Sequence, residues 1–119
     1  SKELCGAIKE ALEDKVAAVR LTGKLKSHPV CITSDGALSV EMEKVLNSMP
    51  TDHKAKADKV LEINPDHPIF DKLQYLFDND KEMLKTYSNL LYTQAMLIEG
   101  MTIEDPVAFS EELSKVMAK

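Results

Sequence analysis

Apolar positions in this chain follow two different periods. Leu4, Ile8, Ala11, Leu12 and Val16 recur at helical spacing and predict a first helix over about Lys2–Lys15. Val19, Leu21, Gly23 and Leu25 then alternate with Arg20, Thr22, Lys24 and Lys26, the pattern of a half-buried strand. Val30–Thr33 follows a short polar turn and is expected to be its hairpin partner. Pro29 stands at the start of that strand, where a missing N–H does least harm. Past the Ser34–Gly36 turn, Leu38, Met42, Val45, Leu46 and Met49 share one face of a short helix, with Ser39 as its cap and Pro50 as its end. Thr51–Asp58 is polar and irregular. Lys59–Ile63 reads as a third strand with Leu61 and Ile63 on one face and Glu62 opposite.

The second half is helical and punctuated by Asn and Asp beside Pro. Asn64–Pro68 turns the chain, with Asp66 expected to cap a helix that holds Pro68 in its first turn and runs to about Phe77. Asp78–Asp80 breaks it. A helix over Lys81–Glu99 follows, about 28 Å long at 1.5 Å per residue, and Gly100 is a fitting stop. Asp105 caps a last helix with Pro106 at its first position and Val107, Leu113, Val116 and Met117 as its apolar set. The fold class this order implies is α+β: a small three-stranded sheet with packed helices, then a helical pair, all in one domain over residues 1–119.

One helix has more apolar surface than a small domain can cover. From Leu90 to Ile98, the residues Leu90, Leu91, Tyr92, Ala95, Met96, Leu97 and Ile98 point around most of the helix circumference. A helix apolar on all sides is buried on all sides. A second copy of the chain is the natural source of the missing cover.

Composition narrows the function. Of the 119 residues, 44% are hydrophobic, enough for a core, and 29% are charged, too many for a membrane protein. No apolar run approaches the roughly 18 residues of a membrane span, and the opening SKELCGAIKE lacks the apolar centre of a signal peptide. The net charge of −5 disfavours nucleic acid as a partner. Weak basic clusters at Lys24–His28 and His53–Lys59 lack interleaved aromatics and read as solvated loop charge. Cys5 and Cys31 are far apart and in no metal spacing, which points to free thiols in a reducing cytoplasm. The chain does not begin with Met, consistent with a fragment of something longer.

Candidate chemistry is sparse. The four glycines form no phosphate loop, and no HExxH, CxxC or GxSxG motif occurs. A thiol hydrolase pairing Cys31 with His28, His53 or His67 is a minor alternative, since Cys31 lies between apolar Val30 and Ile32 and such thiols are usually inert. His67, between Asp66 and Pro68, reads as a cap or surface residue, and Glu111 with Glu112 as a solvated helix face. The residues point to an assembly or binding module rather than an enzyme, with a small adaptor that grips a partner's helix as the other reading.

The order of motifs resembles the C-terminal domain of the 90-kDa heat-shock chaperone family, bacterial type. LCGAIKEALEDKVAAVRLTGKL looks like the family's opening helix and strand. PVCIT resembles its Pro-x-Cys-Leu/Ile-Val strand, with His28 where Ser or Asp is usual and Thr33 where Val is expected. MEKVLNSM matches a Met-containing helix, and LEINPDHP is close to Leu-Glu-Leu-Asn-Pro-x-His-Pro. LLYTQAMLIEG followed by EDPVAF is similar to Leu-Leu-x-x-Gln-Ala-Leu-Leu and Glu-Asp-Pro-x-x-Phe. The match covers essentially the whole chain, and its specificity lies in order and spacing.

The resemblance implies a dimeric, ATP-dependent stress-response chaperone whose nucleotide site lies in a domain absent here, so this domain would hold no cofactor. Its last two helices, residues 81–119, would pair with those of a second copy as an intermolecular four-helix bundle. Leu90, Leu91, Gln94, Leu97, Ile98, Val107, Phe109, Leu113, Val116 and Met117 would form that interface. The chain ends VMAK without the Met-Glu-Glu-Val-Asp tail of eukaryotic cytosolic members, which favours a bacterial type. By pattern alone the face of Leu38, Met42, Val45, Leu46 and Met49 would pack on the domain's own sheet; the resemblance implies instead that it contacts unfolded or partly folded client proteins, and two of the five are Met, whose flexible side chains suit promiscuous surfaces.

Overall fold

The computed structural model describes residues 2–23, 28–34, 42, 45, 59–103 and 105–119. Helix α1 spans Lys2–Leu12 and is followed by a 3-10 turn, Glu13–Lys15. Strands β1 (Ala18–Leu21), β2 (Val30–Ser34) and β3 (Lys59–Ile63) form one sheet. Helices α2 (Pro68–Asn79), α3 (Lys81–Ile98) and α4 (Pro106–Met117) complete the described fold. This is the α+β architecture that the apolar periods predict.

The first helix ends earlier than its apolar spacing indicates. Glu13 takes φ 54°, a left-handed conformation that costs an L residue about 1–2 kcal/mol, and this turns the chain after Leu12. Leu4, Ile8 and Leu12 are each fully buried, so the helix closes as soon as its third core residue is placed.

The expected hairpin between the first two strands does not form. The strand order is β1-β3-β2, with β1 parallel and β2 antiparallel to a central β3. The reason lies in β3, where Val60 and Leu61, on opposite faces, are both fully buried. A strand buried on both faces belongs in the middle of a sheet, whereas β1, with Arg20 exposed, suits an edge. Glu62 is accordingly not on an open face; it sits between Arg20 and Cys31, its neighbours on the two flanking strands.

Leu61 and Ile63 lie level with Ile32 and Val30 across one pair of strands. With Leu73 and Leu76 of α2 and Leu84, Leu91, Tyr92, Ala95 and Met96 of α3, they belong to one continuous core. Helix α3 is the central support: it packs on α1, α2, α4 and β2. Two polar residues buried in it are satisfied within the helix, Ser88 Oγ donating to the Leu84 carbonyl at 2.7 Å and Thr86 Oγ1 to that of Glu82 at 3.5 Å.

Candidate functional site

Among the described residues, exposed large apolar side chains gather along α3 and α4, and local sequence fixes both helices. Asp80 ends α2, its N–H donating to the Leu76 carbonyl at 2.8 Å, and starts α3, its Oδ1 accepting the Met83 N–H at 3.1 Å. That N–H, and then Lys119 at 3.4 Å, hold the Asp80 carboxyl below its ordinary range. At the far end of α3, Gly100 takes φ 80°. Its N–H reaches the Leu97 carbonyl at 3.0 Å, and the Met101 N–H reaches that of Met96 at 2.9 Å. This paired closure requires a residue free to be left-handed, which glycine is. Asp105 Oδ1 accepts the Ala108 N–H at 3.0 Å and Pro106 opens α4, as the sequence predicts.

The cap of α2 is a correction. His67, not Asp66, fills it: its Nδ1 accepts the Ile69 N–H at 3.0 Å. Asp66 instead closes the turn, its N–H donating to Asn64 Oδ1 at 3.0 Å. Asn64, 2% exposed, also donates from Nδ2 to the His28 carbonyl at 3.2 Å, tying this turn to the start of β2.

Between α2, α3 and α4 lies an open groove of about 300 Å³ lined by Ile69, Tyr87, Leu90, Leu91, Gln94, Leu97, Phe109 and Leu113. Of the ten residues assigned to an interface by sequence, the groove gathers Leu90, Leu91, Gln94, Leu97, Phe109 and Leu113. Leu97 is 47% exposed, Leu113 41% and Ile98 42%, while Val107 and Met117 are exposed at the two ends of α4. Leu91 is a different case. At 4% exposed it belongs to the core, because its side of α3 faces the body of the domain. Val116 is half-buried and packs on that core as well. Ile69 and Tyr87 line the groove but were not anticipated. Tyr87 stands one heptad before Gln94, and that spacing was the available signal.

Of the candidate client-binding residues, Met42 and Val45 are helical and exposed, at 52% and 61%. Leu38, Leu46 and Met49 lie outside the described residues.

The thiol reading finds the wrong partner beside the sulfur. Cys31 is half-buried and its Sγ donates to Glu62 Oε1 at 3.6 Å; Glu62 Oε2 in turn pairs with Arg20 Nε at 3.2 Å. Burial first, then the Glu62 charge and hydrogen bond, push the Cys31 thiol from an ordinary 9.0 up to about 11. A nucleophilic cysteine needs the opposite shift. Of the three imidazoles named for it, His67 is engaged as a helix cap, His53 lies outside the described residues, and among the described residues no hydrogen bond joins His28 to the sulfur, which bonds Glu62. In a Cys5→Ala variant, Cys31 is expected to react with a thiol reagent at neutral pH about a hundredfold more slowly than in the unfolded chain. The rate should climb as pH rises toward 11. The sign for stability is the same: a raised thiol favours the folded state fully below pH 9 and loses that contribution as pH approaches 11. Fast labelling at neutral pH would contradict this geometry.

Among the described residues no cluster of His, Cys, Asp or Glu could hold a metal ion, and no helix is long and apolar enough to cross a membrane.

Residues 1–119 match the model of the family described as Hsp90 protein. The chain is 54% identical over 116 residues to chaperone protein HtpG of Bacillus subtilis (strain 168), covering 98% of this chain and 18% of that protein. It is 53% identical over 117 residues to chaperone protein HtpG of Bacillus licheniformis, covering 98% and 19%. It is 52% identical over 118 residues to chaperone protein HtpG of Alkaliphilus metalliredigens, covering 99% and 19%. The chain thus spans less than a fifth of the length of these chaperones. Matched from end to end by the family model and sharing more than half its aligned residues with these chaperones, the chain belongs to the Hsp90 family.

Proposed function

We propose that this chain is the C-terminal dimerisation domain of a longer, ATP-dependent chaperone, acting in the cytoplasm. Its partners are a second copy of itself and unfolded or partly folded client proteins. The observation that carries the reading is the groove between α2, α3 and α4, in which Leu97 and Leu113, with Ile98 next to Leu97 in the chain, are each more than 40% exposed. Contiguous apolar surface of this kind marks an interaction site, and two helices from each of two copies would cover it as a four-helix bundle. The free thiols of Cys5 and Cys31 fit a reducing compartment. Sedimentation of the chain at micromolar concentration tests the proposal: a dimer supports it, and a monomer refutes it.

Client binding falls to the segment that carries Met42 and Val45. Two apolar side chains this exposed on a helix offer adaptable contact area. The double change Met42→Ser, Met49→Ser is expected to weaken suppression of client aggregation by the full-length chaperone with its melting temperature nearly unchanged. Were these residues core, the same change would cost on the order of 2–5 kcal/mol and melting would fall clearly.

The nucleotide chemistry of the whole protein lies elsewhere in this reading. The sequence contains no Gly-rich phosphate loop, its four glycines being scattered. Calorimetry with ATP and magnesium is expected to show no saturable binding to the 119-residue chain. Saturable binding would place a nucleotide site in this domain after all.

A further inference from the structure

We propose that a cleft where α3 meets α4 takes a basic–apolar–basic segment of an unfolded client, its cations on Asp105 and Glu112 and its apolar side chain on Phe109. This rests on the client reading above and adds a second contact to it. The cleft holds about 250 Å³ and is lined by Tyr92 and Met96 of α3, by Ile103 between the helices, and by Asp105, Phe109 and Glu112 at α4. It opens on a different side of α3 from the groove. At about 100° per residue, Tyr92 and Met96 stand roughly opposite Leu90 and Leu97.

The charges of the cleft select a cation. Asp105 Oδ1 accepts the Ala108 N–H, and among the described residues no cation pairs with Asp105 or Glu112. Glu112 is half-buried, and a carboxylate partly removed from water gains more from a counter-charge than an exposed one does. Lys15, which also lines the cleft, does not supply that charge. Its Nζ donates to Asn89 Oδ1 at 2.9 Å and stands 5.7 Å from the centroid of the Tyr92 ring.

Spacing selects the segment. Asp105 and Glu112 lie two helical turns apart on one side of α4, about 10 Å along its axis, with Phe109 between them. In an extended chain the first, third and fifth side chains share a face, and the outer two are ~13 Å apart. Lysine stems are long and flexible enough to close that difference. The middle side chain then rests on Phe109. Acidic ends on the same segment would meet like charge. The net charge of −5 draws basic segments toward the chain from a distance.

The test is fluorescence anisotropy of a labelled, end-blocked peptide, Lys-Ser-Leu-Ser-Lys. The 119-residue chain should bind it saturably at sub-millimolar concentration, and should bind Glu-Ser-Leu-Ser-Glu at least about tenfold more weakly. Asp105→Asn, which keeps the helix cap, and Glu112→Gln should each weaken binding about threefold to tenfold at unchanged circular dichroism. Lys15→Gln should strengthen it about twofold, because it removes a like charge from the wall. Equal affinity for the two peptides overturns the proposal, as does undiminished affinity in the double variant Asp105→Asn, Glu112→Gln. Peptide binding that falls as the concentration of the chain rises also overturns it, since a second copy would then hold the cleft. Reduced and alkylated ribonuclease A separates this site from the client reading. If the chain binds that unfolded protein but not the lysine peptide, the cleft is refuted and the client reading stands; if it binds neither, both fall.

Discussion

Leu97→Asp is expected to sediment as a monomer at concentrations where the unmutated chain is a dimer, with its far-ultraviolet circular dichroism preserved. Leu97 is 47% exposed in the single chain, so a carboxylate there is solvated and folding proceeds. In the dimer the same carboxylate would be covered, once in each copy, by an apolar surface that offers no counter-charge. An uncompensated buried charge costs on the order of 3–5 kcal/mol, so the two in a dimer together cost roughly 6–10 kcal/mol, about ten-thousandfold to ten-millionfold in dissociation constant. Ile98→Asp, at a site 42% exposed, should act in the same direction. A Leu97→Asp variant that remains dimeric would show that this face of α3 is not the one covered.

The contrast between Leu97 and Leu91 shows where sequence stops being informative. Seven of the nine residues from Leu90 to Ile98 are apolar, and that excess signals a helix covered on all sides. It does not say which side the domain covers itself. The structure divides them: Leu91, Tyr92, Ala95 and Met96 are at most 5% exposed, while Leu97 and Ile98 remain open. That division depends on where α1, α2 and β2 pack, which one-dimensional spacing does not encode. The strand order was hidden for a related reason. Sequence proximity favours β1 with β2, yet β3, buried on both faces, takes the place between them.

Helix ends were far more legible, because their chemistry is local. Asp105 with Pro106 and the Gly100 stop formed as read. Two ends departed from the reading: α1 closes early, at Leu12, and His67 stands in place of Asp66, which follows from Pro68 at the first helical position. The residue directly before Pro68 is the one whose side chain meets the next free N–H, that of Ile69, and Nδ1 of a histidine serves as the acceptor. Among the candidate site residues, those on the groove side of α3 and α4 were readable from apolar periodicity. Ile69 joined them only through the packing of α2 beside α3.

Leu91→Ala is expected to produce a large loss of stability. Leu91 is 4% exposed and sits within the core that joins α3 to α1 and the sheet. Truncating it removes buried apolar atoms and leaves a cavity that its neighbours fill only in part. Such substitutions cost about 2–5 kcal/mol. For a domain of this size, that lowers the melting temperature by on the order of 10 °C or more. Because dimerisation also raises apparent stability by mass action, the comparison is made at one fixed protein concentration. The matched control is Leu97→Ala, whose side chain is half open in the single chain and contributes little to the isolated fold. It should weaken the dimer while moving the melting temperature of the monomeric form only slightly. The two variants therefore separate the inward and outward sides of one helix, read by thermal melting for the first and by sedimentation for the second. If Leu91→Ala instead dissociated the dimer without lowering the melting temperature, Leu91 would face the partner, and the division of α3 into core and interface would have to be redrawn.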